Sequence, residues 1–149
     1  MKTILNFKLF FVLVLLFSIS ACDLVEDDGC SELDLDQAEH VKINCKVTAS
    51  NSGETRVPIK VRFYKTACGQ TDPKPGSTFT YSGIIERPNA LTYTSGTPEY
   101  ELRNSDDYIT VELLEDRINA GNYVIVEQQR FFHNQLFPGL NTVYFTMDN

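Results

Sequence analysis

The chain has no tryptophan and only two histidines and two methionines among its 149 residues. Past residue 21 it has no long apolar run, and no helical period is sustained there. Each lack removes a class of reading. Two histidines on separate segments, His40 and His133, leave little scope for catalysis in which nucleophile, base and orienting acid are held together. No nucleophile elbow surrounds any serine, and no Gly-rich phosphate loop occurs. No cofactor is expected. Bases are in deficit, 13 against 20 acids for a formal charge of −7. Nucleic-acid binding is therefore disfavoured, because it needs a basic stripe that displaces counterions.

The first 22 residues differ from the rest. Lys2 and Lys8 give a positive start, Leu9 to Ile19 is apolar but for Ser18, and small Ser20 and Ala21 follow. That order describes a secretory signal peptide, and the run is shorter than the ~20 residues a spanning helix needs. The segment ends Ile19-Ser20-Ala21-Cys22, which resembles the lipobox of bacterial lipoproteins. The resemblance implies cleavage before Cys22 and acylation of its thiol, the nucleophile that accepts lipid. Lipoproteins carry several chains on this cysteine, as stable anchoring requires more than one. The expected organisation is a signal peptide over 1–21, a lipidated cysteine and tether over 22–39, and a domain over 40–149. The implied location is the cell envelope, attached to a membrane through Cys22, the outer membrane before the inner.

Of the 13 bases, Lys2 and Lys8 leave with residues 1–21, so the chain from Cys22 holds 11 bases against 20 acids, a formal −9. Eight acids and no base lie between Asp23 and Glu39. From His40 onward the balance is 12 acids to 11 bases. The acidity thus belongs to the tether, whose like charges extend it. It loosely resembles the acidic run that some Gram-negative groups use to display lipoproteins on the cell surface, whereas Asp23 resembles an inner-membrane retention residue. A plain solvated spacer is the competing account. The acids lack calcium-loop spacing.

From residue 40 the pattern alternates. Val41, Ile43, Cys45 and Val47 interleave with polar residues, the period-two signal of a half-buried strand. Asn51 to Glu54 form a turn, and Val57, Ile59, Val61 and Phe63 make the next inward row. Pro58 cannot donate to a ladder, so that strand starts there or lies at an edge. Shorter strands are expected around Ser77–Tyr81, Leu91–Thr94 and Tyr100–Leu102, punctuated by Gly83, Pro88, Gly96 and Pro98. Tyr108–Leu113, Tyr123–Glu127 and a last row through Val143, Phe145 and Met147 complete the set. Seven to nine short strands with frequent turns predict an all-β antiparallel sandwich. Leu113 to Val126, with its Ala120-Gly121-Asn122-Tyr123 turn, resembles the corresponding stretch of prealbumin-like and Ig-like sandwiches in bacterial surface proteins. That resemblance implies a fold and no activity.

Apart from Cys22, the cysteines are Cys30, Cys45 and Cys68. An oxidising compartment permits one disulfide with one thiol left over. Cys45 falls in an inward row and reads as a small buried hydrophobe. If strands 41–48 and 57–64 form a hairpin around Ser52, Cys68 falls opposite the end of the tether, near Cys30. A Cys30–Cys68 bridge is the expected pair. Zinc held by Cys30, Cys45, Cys68 and His40 is disfavoured, since structural sites bring ligand pairs close in sequence.

The carboxylate pairs Asp106-Asp107 and Glu115-Asp116 could suggest acid–base or metal work, but the adjacent acids in Asn104-Ser105-Asp106-Asp107 read as a turn, and glycoside hydrolysis would need two acids across a cleft. The segment Phe131-Phe132-His133-Asn134-Gln135-Leu136-Phe137-Pro138-Gly139-Leu140 is aromatic where a connection should be polar. Exposed, it would mark a binding loop through Phe131, Phe132, His133, Gln135 and Phe137. Alternatively Phe131, Phe137 and Leu140 cap the core. The expected function is non-catalytic binding of a protein or glycan partner at the envelope. A structural subunit of an envelope complex is the second reading and a small hydrolase the third.

Overall fold

The computed structural model describes residues 30, 39–118 and 120–147. The expected signal peptide, Cys22 and all the tether but Cys30 and the Glu39 backbone lie outside the described residues. Eight strands make up the domain, β1 (Glu39–Ala49), β2 (Arg56–Thr66), β3 (Phe79–Glu86), β4 (Thr92–Thr94), β5 (Glu99–Leu102), β6 (Tyr108–Glu115), β7 (Val124–Phe132) and β8 (Gly139–Met147). They form two four-stranded sheets. In the first, β8 lies along one side of β1, while β5 and β4 follow one another along its other side. The second runs β3-β2-β6-β7. The fold is an all-β sandwich, antiparallel throughout except for the parallel β1–β8 pair.

The inward rows read from the sequence meet between the sheets. Val41, Ile43, Cys45 and Val47 of β1 face Val57, Ile59, Val61 and Phe63 of β2, with Ile109, Val111 and Leu113 of β6 and Val143, Phe145 and Met147 of β8 completing the core. Most of these side chains are shut off from water, at about 25 cal/mol per Å² of apolar surface removed.

One expectation fails. Strands β1 and β2 do not form a hairpin, because residues 50–55 carry the chain from one sheet to the other. Buried Arg87 ties this crossover down, its Nε donating to the Ser50 carbonyl at 2.6 Å and its terminal nitrogen to that of Glu54 at 2.7 Å. Cys30 and Cys68 are nonetheless joined by a disulfide, with a sequence separation of 38. Closing a loop of that size contributes ~2–4 kcal/mol. Among the described residues Cys45 is the free cysteine, and it is fully buried.

Gly83 was expected to end a strand, yet β3 runs through it. The reason is the opposite sheet. A Cβ at Gly83 would overlap the Tyr93 ring, and a Cβ at Gly96 would overlap the Tyr81 ring. The Tyr93 ring thus lies over Gly83 of the other sheet and the Tyr81 ring over Gly96, which links β4 to β5, and the Tyr93 hydroxyl donates to the Ser82 carbonyl at 3.1 Å. Tyr81 also meets Phe63 edge to face at 5.9 Å. This pair of contacts closes the β3–β4 side.

Added methyl groups here have nowhere to go. Gly83→Ala and Gly96→Ala are each expected to cost ~1–3 kcal/mol, the usual range for overpacking. That corresponds to a melting temperature lower by roughly 5–15 °C. Unchanged melting in both variants would contradict the close approach of the two sheets.

Candidate functional site

The opposite side of the sandwich, where β7 and β8 are the outer strands, is built differently. Neither strand has a second neighbour among the described residues, and the two face each other from different sheets. Gln129 Nε2 donates across to the Tyr144 carbonyl at 3.4 Å. Between the sheets, β7 turns Glu127 and Gln129 inward where β1 and β2 turn aliphatic residues, and these two side chains bond each other at 3.1 Å. Burial, and then the Glu127 carboxylate, push the Cys45 thiol up to about 12. It is therefore protonated and unreactive at neutral pH.

Exposed apolar side chains gather on this side. Of the ten large ones among the described residues, Val124, Ile125, Val126 and Phe132 are on β7, Phe137 is in the β7–β8 connection, and Leu140 and Tyr144 are on β8. An eighth, Ile118, is 74 % exposed in the β6–β7 turn. Ile118, Val124 and Val126 line an apolar trough of about 360 Å³, with Arg117 and Asn122 at its margin. That turn is pinned by Asp116, whose carboxylate accepts from the Ala120 and Gly121 amides. Asp116 thus serves as a turn residue, holding the β6–β7 turn closed.

At the other end of the open side lies the aromatic connection. Phe131 packs against the core and Leu136 is buried, whereas Phe132 and Phe137 are exposed. The two readings of this segment are therefore divided among its residues, with Leu136 rather than Phe137 or Leu140 capping the core. His133–Gln135 forms a 3-10 turn, and Gln135 Oε1 accepts the Phe132 amide at 2.9 Å. The Asn141 amide holds the far end, accepting from Phe137 N at 3.0 Å and donating to Phe137 O at 2.9 Å. Phe137, 76 % exposed, is thus displayed on a fixed loop beside a hollow of about 270 Å³.

Two buried charge clusters were not read from the sequence. Lys65 occupies the next inward position after Phe63, and its ammonium pairs with Asp107 at 2.5 Å and donates to the Glu101 carbonyl at 2.7 Å. Asp107 also accepts the Cys68 and Arg103 amides, each at 3.1 Å. On the outer face of the second sheet, Glu112 accepts from Arg62 Nε at 2.6 Å, Tyr64 Oη at 2.9 Å and Gln128 Nε2 at 3.1 Å. Both carboxylates are spent on protein donors, so neither is offered to a substrate. Lys65 in an otherwise apolar inward row was the available signal for the first cluster. Nothing marked Glu112, which lies on an outward phase. Of the two histidines, His40 is exposed beside Glu99 at 3.4 Å.

Comparison with protein-family models, curated proteins and solved structures finds no match. The site's chemistry therefore rests on its own geometry. Among the described residues, no group of three His, Cys, Asp or Glu side chains is placed to hold a metal ion, and no helix is long and apolar enough to cross a membrane.

The Lys65–Asp107 pair sets an acid limit on stability. Burial alone would raise the Asp107 carboxyl, but the Lys65 ammonium and the Arg103 and Cys68 amides outweigh it and hold the carboxyl below its ordinary value. A depressed folded-state value gives stability that is present above the unfolded value of ~3.9 and lost as pH falls through the folded one. Denaturant titration is expected to show this loss beginning below about pH 4. Asp107→Asn is expected to cost ~3–5 kcal/mol at neutral pH and to flatten the acid limb. An unchanged acid limb in that variant would assign the transition to other carboxylates.

Proposed function

We propose that this chain is a lipid-anchored, non-catalytic protein of the cell envelope, held to the membrane through Cys22, that binds a protein or glycan partner along the open side of its sandwich. The carrying observation is the placement of exposed apolar surface. Single exposed hydrophobes are ordinary on any protein. Here they concentrate on one side, around a trough at one end and a fixed aromatic loop at the other. Grouped apolar surface of this kind marks contact sites, and loops on a rigid scaffold are where binding residues gather. Phe132, Gln135 and Phe137 present the loop end, with Phe131 supporting them from the core side and His133 opening the 3-10 turn.

The anchor rests on the lipobox resemblance, and the bacterial-surface setting agrees with the resemblance of the Leu113–Val126 stretch to Ig-like and prealbumin-like domains. The outer membrane is the proposed site, with the acidic tether holding the domain away from it. Between a protein and a glycan partner, the aliphatic trough favours protein, since glycans prefer flat aromatic platforms and the chain has no tryptophan.

Two measurements test the reading. Cys22→Ser is expected to move the protein from the membrane fraction to the soluble fraction of broken cells. A variant that stays membrane-bound would contradict the anchor. A photo-crosslinking residue placed at Phe137 or Val126 in living cells is expected to give a discrete adduct, of a mass other than two copies of the chain. The same residue at Thr80 on β3 is expected to give none. Equal labelling from all three positions, or none from any, would contradict a partner site on the open side.

A further inference from the structure

The free strand edges of this sandwich are unequally guarded. An exposed edge carries unpaired amides and carbonyls and invites another strand, so soluble proteins blunt it by shortness, charge, proline, a bulge or cover. In the first sheet, β4 has three residues, and β5 has four, two of them Glu99 and Glu101. In the second sheet, β3 lies against β4 through the tyrosine contacts. Strand β7 has a register break opposite Leu113 and Leu114, an inward Glu127 and an outward Arg130.

Strand β8 lacks these devices but for the Gln129 side chain that reaches its Tyr144 carbonyl. Its nine residues, Gly-Leu-Asn-Thr-Val-Tyr-Phe-Thr-Met, include no charge and no proline. Its pairing with β1 is unbroken from Val41–Gly139 to Ala49–Met147. It is the one strand longer than three residues with no charged side chain. The Tyr144 carbonyl points away from β1, since Gln129 reaches it from β7. By strand alternation, the backbone groups of Leu140, Thr142, Tyr144 and Thr146 share that direction.

We infer that β8 is the edge through which two copies of this chain pair, antiparallel and centred on Val143, so that their first sheets join into one. The occupant follows from charge and register. Strand β8 holds no charged side chain, so two copies laid along it bring no like charges together. An antiparallel pair about a two-fold axis is self-complementary. Centring on Val143 overlaps all nine residues and sets Thr142 opposite Tyr144 and Leu140 opposite Thr146. Aromatic and β-branched partners of this kind stabilise a ladder by ~0.2–1 kcal/mol each. A strand of this length spans ~30 Å, and its burial with the flanking side chains comes to roughly 1,000 Å² in total, the threshold for a specific interface. The association is therefore reversible and concentration-dependent. It leaves the β7 trough and the Phe137 loop to the partner of the proposed function, and it stands or falls separately from that reading.

Sedimentation equilibrium of the full chain in density-matched detergent tests it, over about 1–300 µM, the range in which such an interface would dissociate. The wild type is expected to pass from monomer to dimer. Thr142→Lys and Tyr144→Glu, both at exposed positions, are each expected to weaken the dimer tenfold or more. The T142K/Y144E double variant sets opposite charges across the axis and is expected to recover most of the loss. A wild type that stays monomeric throughout, or a dimer indifferent to both substitutions, overturns the inference, as does a double variant weaker than either single one. A readout without substitution is amide exchange at Leu140, Thr142, Tyr144 and Thr146, expected to slow as concentration rises. Exchange independent of concentration also overturns it.

Discussion

Tyr93 lying on Gly83 and Tyr81 lying on Gly96 bring the two sheets together along one side of this domain. Everything else in the arrangement follows from that closeness. Each ring can lie there only because the residue beneath it has no Cβ, so the sheets approach at β3 and β4 and need not do so elsewhere. On the far side, β7 carries Glu127 and Gln129 inward in place of aliphatic residues. Both stay only half-buried, because full burial of a charge is expensive, so this side closes to a lesser degree. One face of the sandwich edge becomes structural, and the other is left to make contacts.

The buried charges divide in the same way. Lys65 and Asp107 fasten the end of β2, the loop before β6 and the loop bearing Cys68 into one unit. The disulfide attaches Cys30 to that unit through Cys68. A pair of this kind adds little net stability against apolar residues of the same size, but loss of one partner is costly. Its value lies in fixing which loops meet. Glu112 performs the same service on the outer face, holding Arg62, Tyr64 and Gln128 across three strands.

Much of the fold was legible because alternation is a direct consequence of two-sided strands. The inward rows of β1, β2, β6 and β8 stand in the structure as the sequence had them, and the inward phase of Cys45 foretold its burial. Which strands pair was not legible. Adjacent strands usually make hairpins, but the β1–β2 connection crosses between sheets and is braced by Arg87 from a distant part of the chain. Gly83 looked like punctuation because its reason, the Tyr93 ring, is supplied by the other sheet. The aromatic connection after β7 was visible as an anomaly. Its division into a buried Leu136 and an exposed Phe137 depends on Asn141 holding the loop, which no local pattern announces.

The central claim is that this sandwich has one closed side and one open one. Amide exchange on the folded domain, resolved by residue, tests it most directly. The account expects amides of β2, β6 and the inner part of β3 to exchange slowly as one cooperative unit, while the amides of β7 that point away from β6 exchange orders of magnitude faster. Uniform protection along β7 in dilute monomeric protein would mean that something else pairs with that edge, and the open side would not exist.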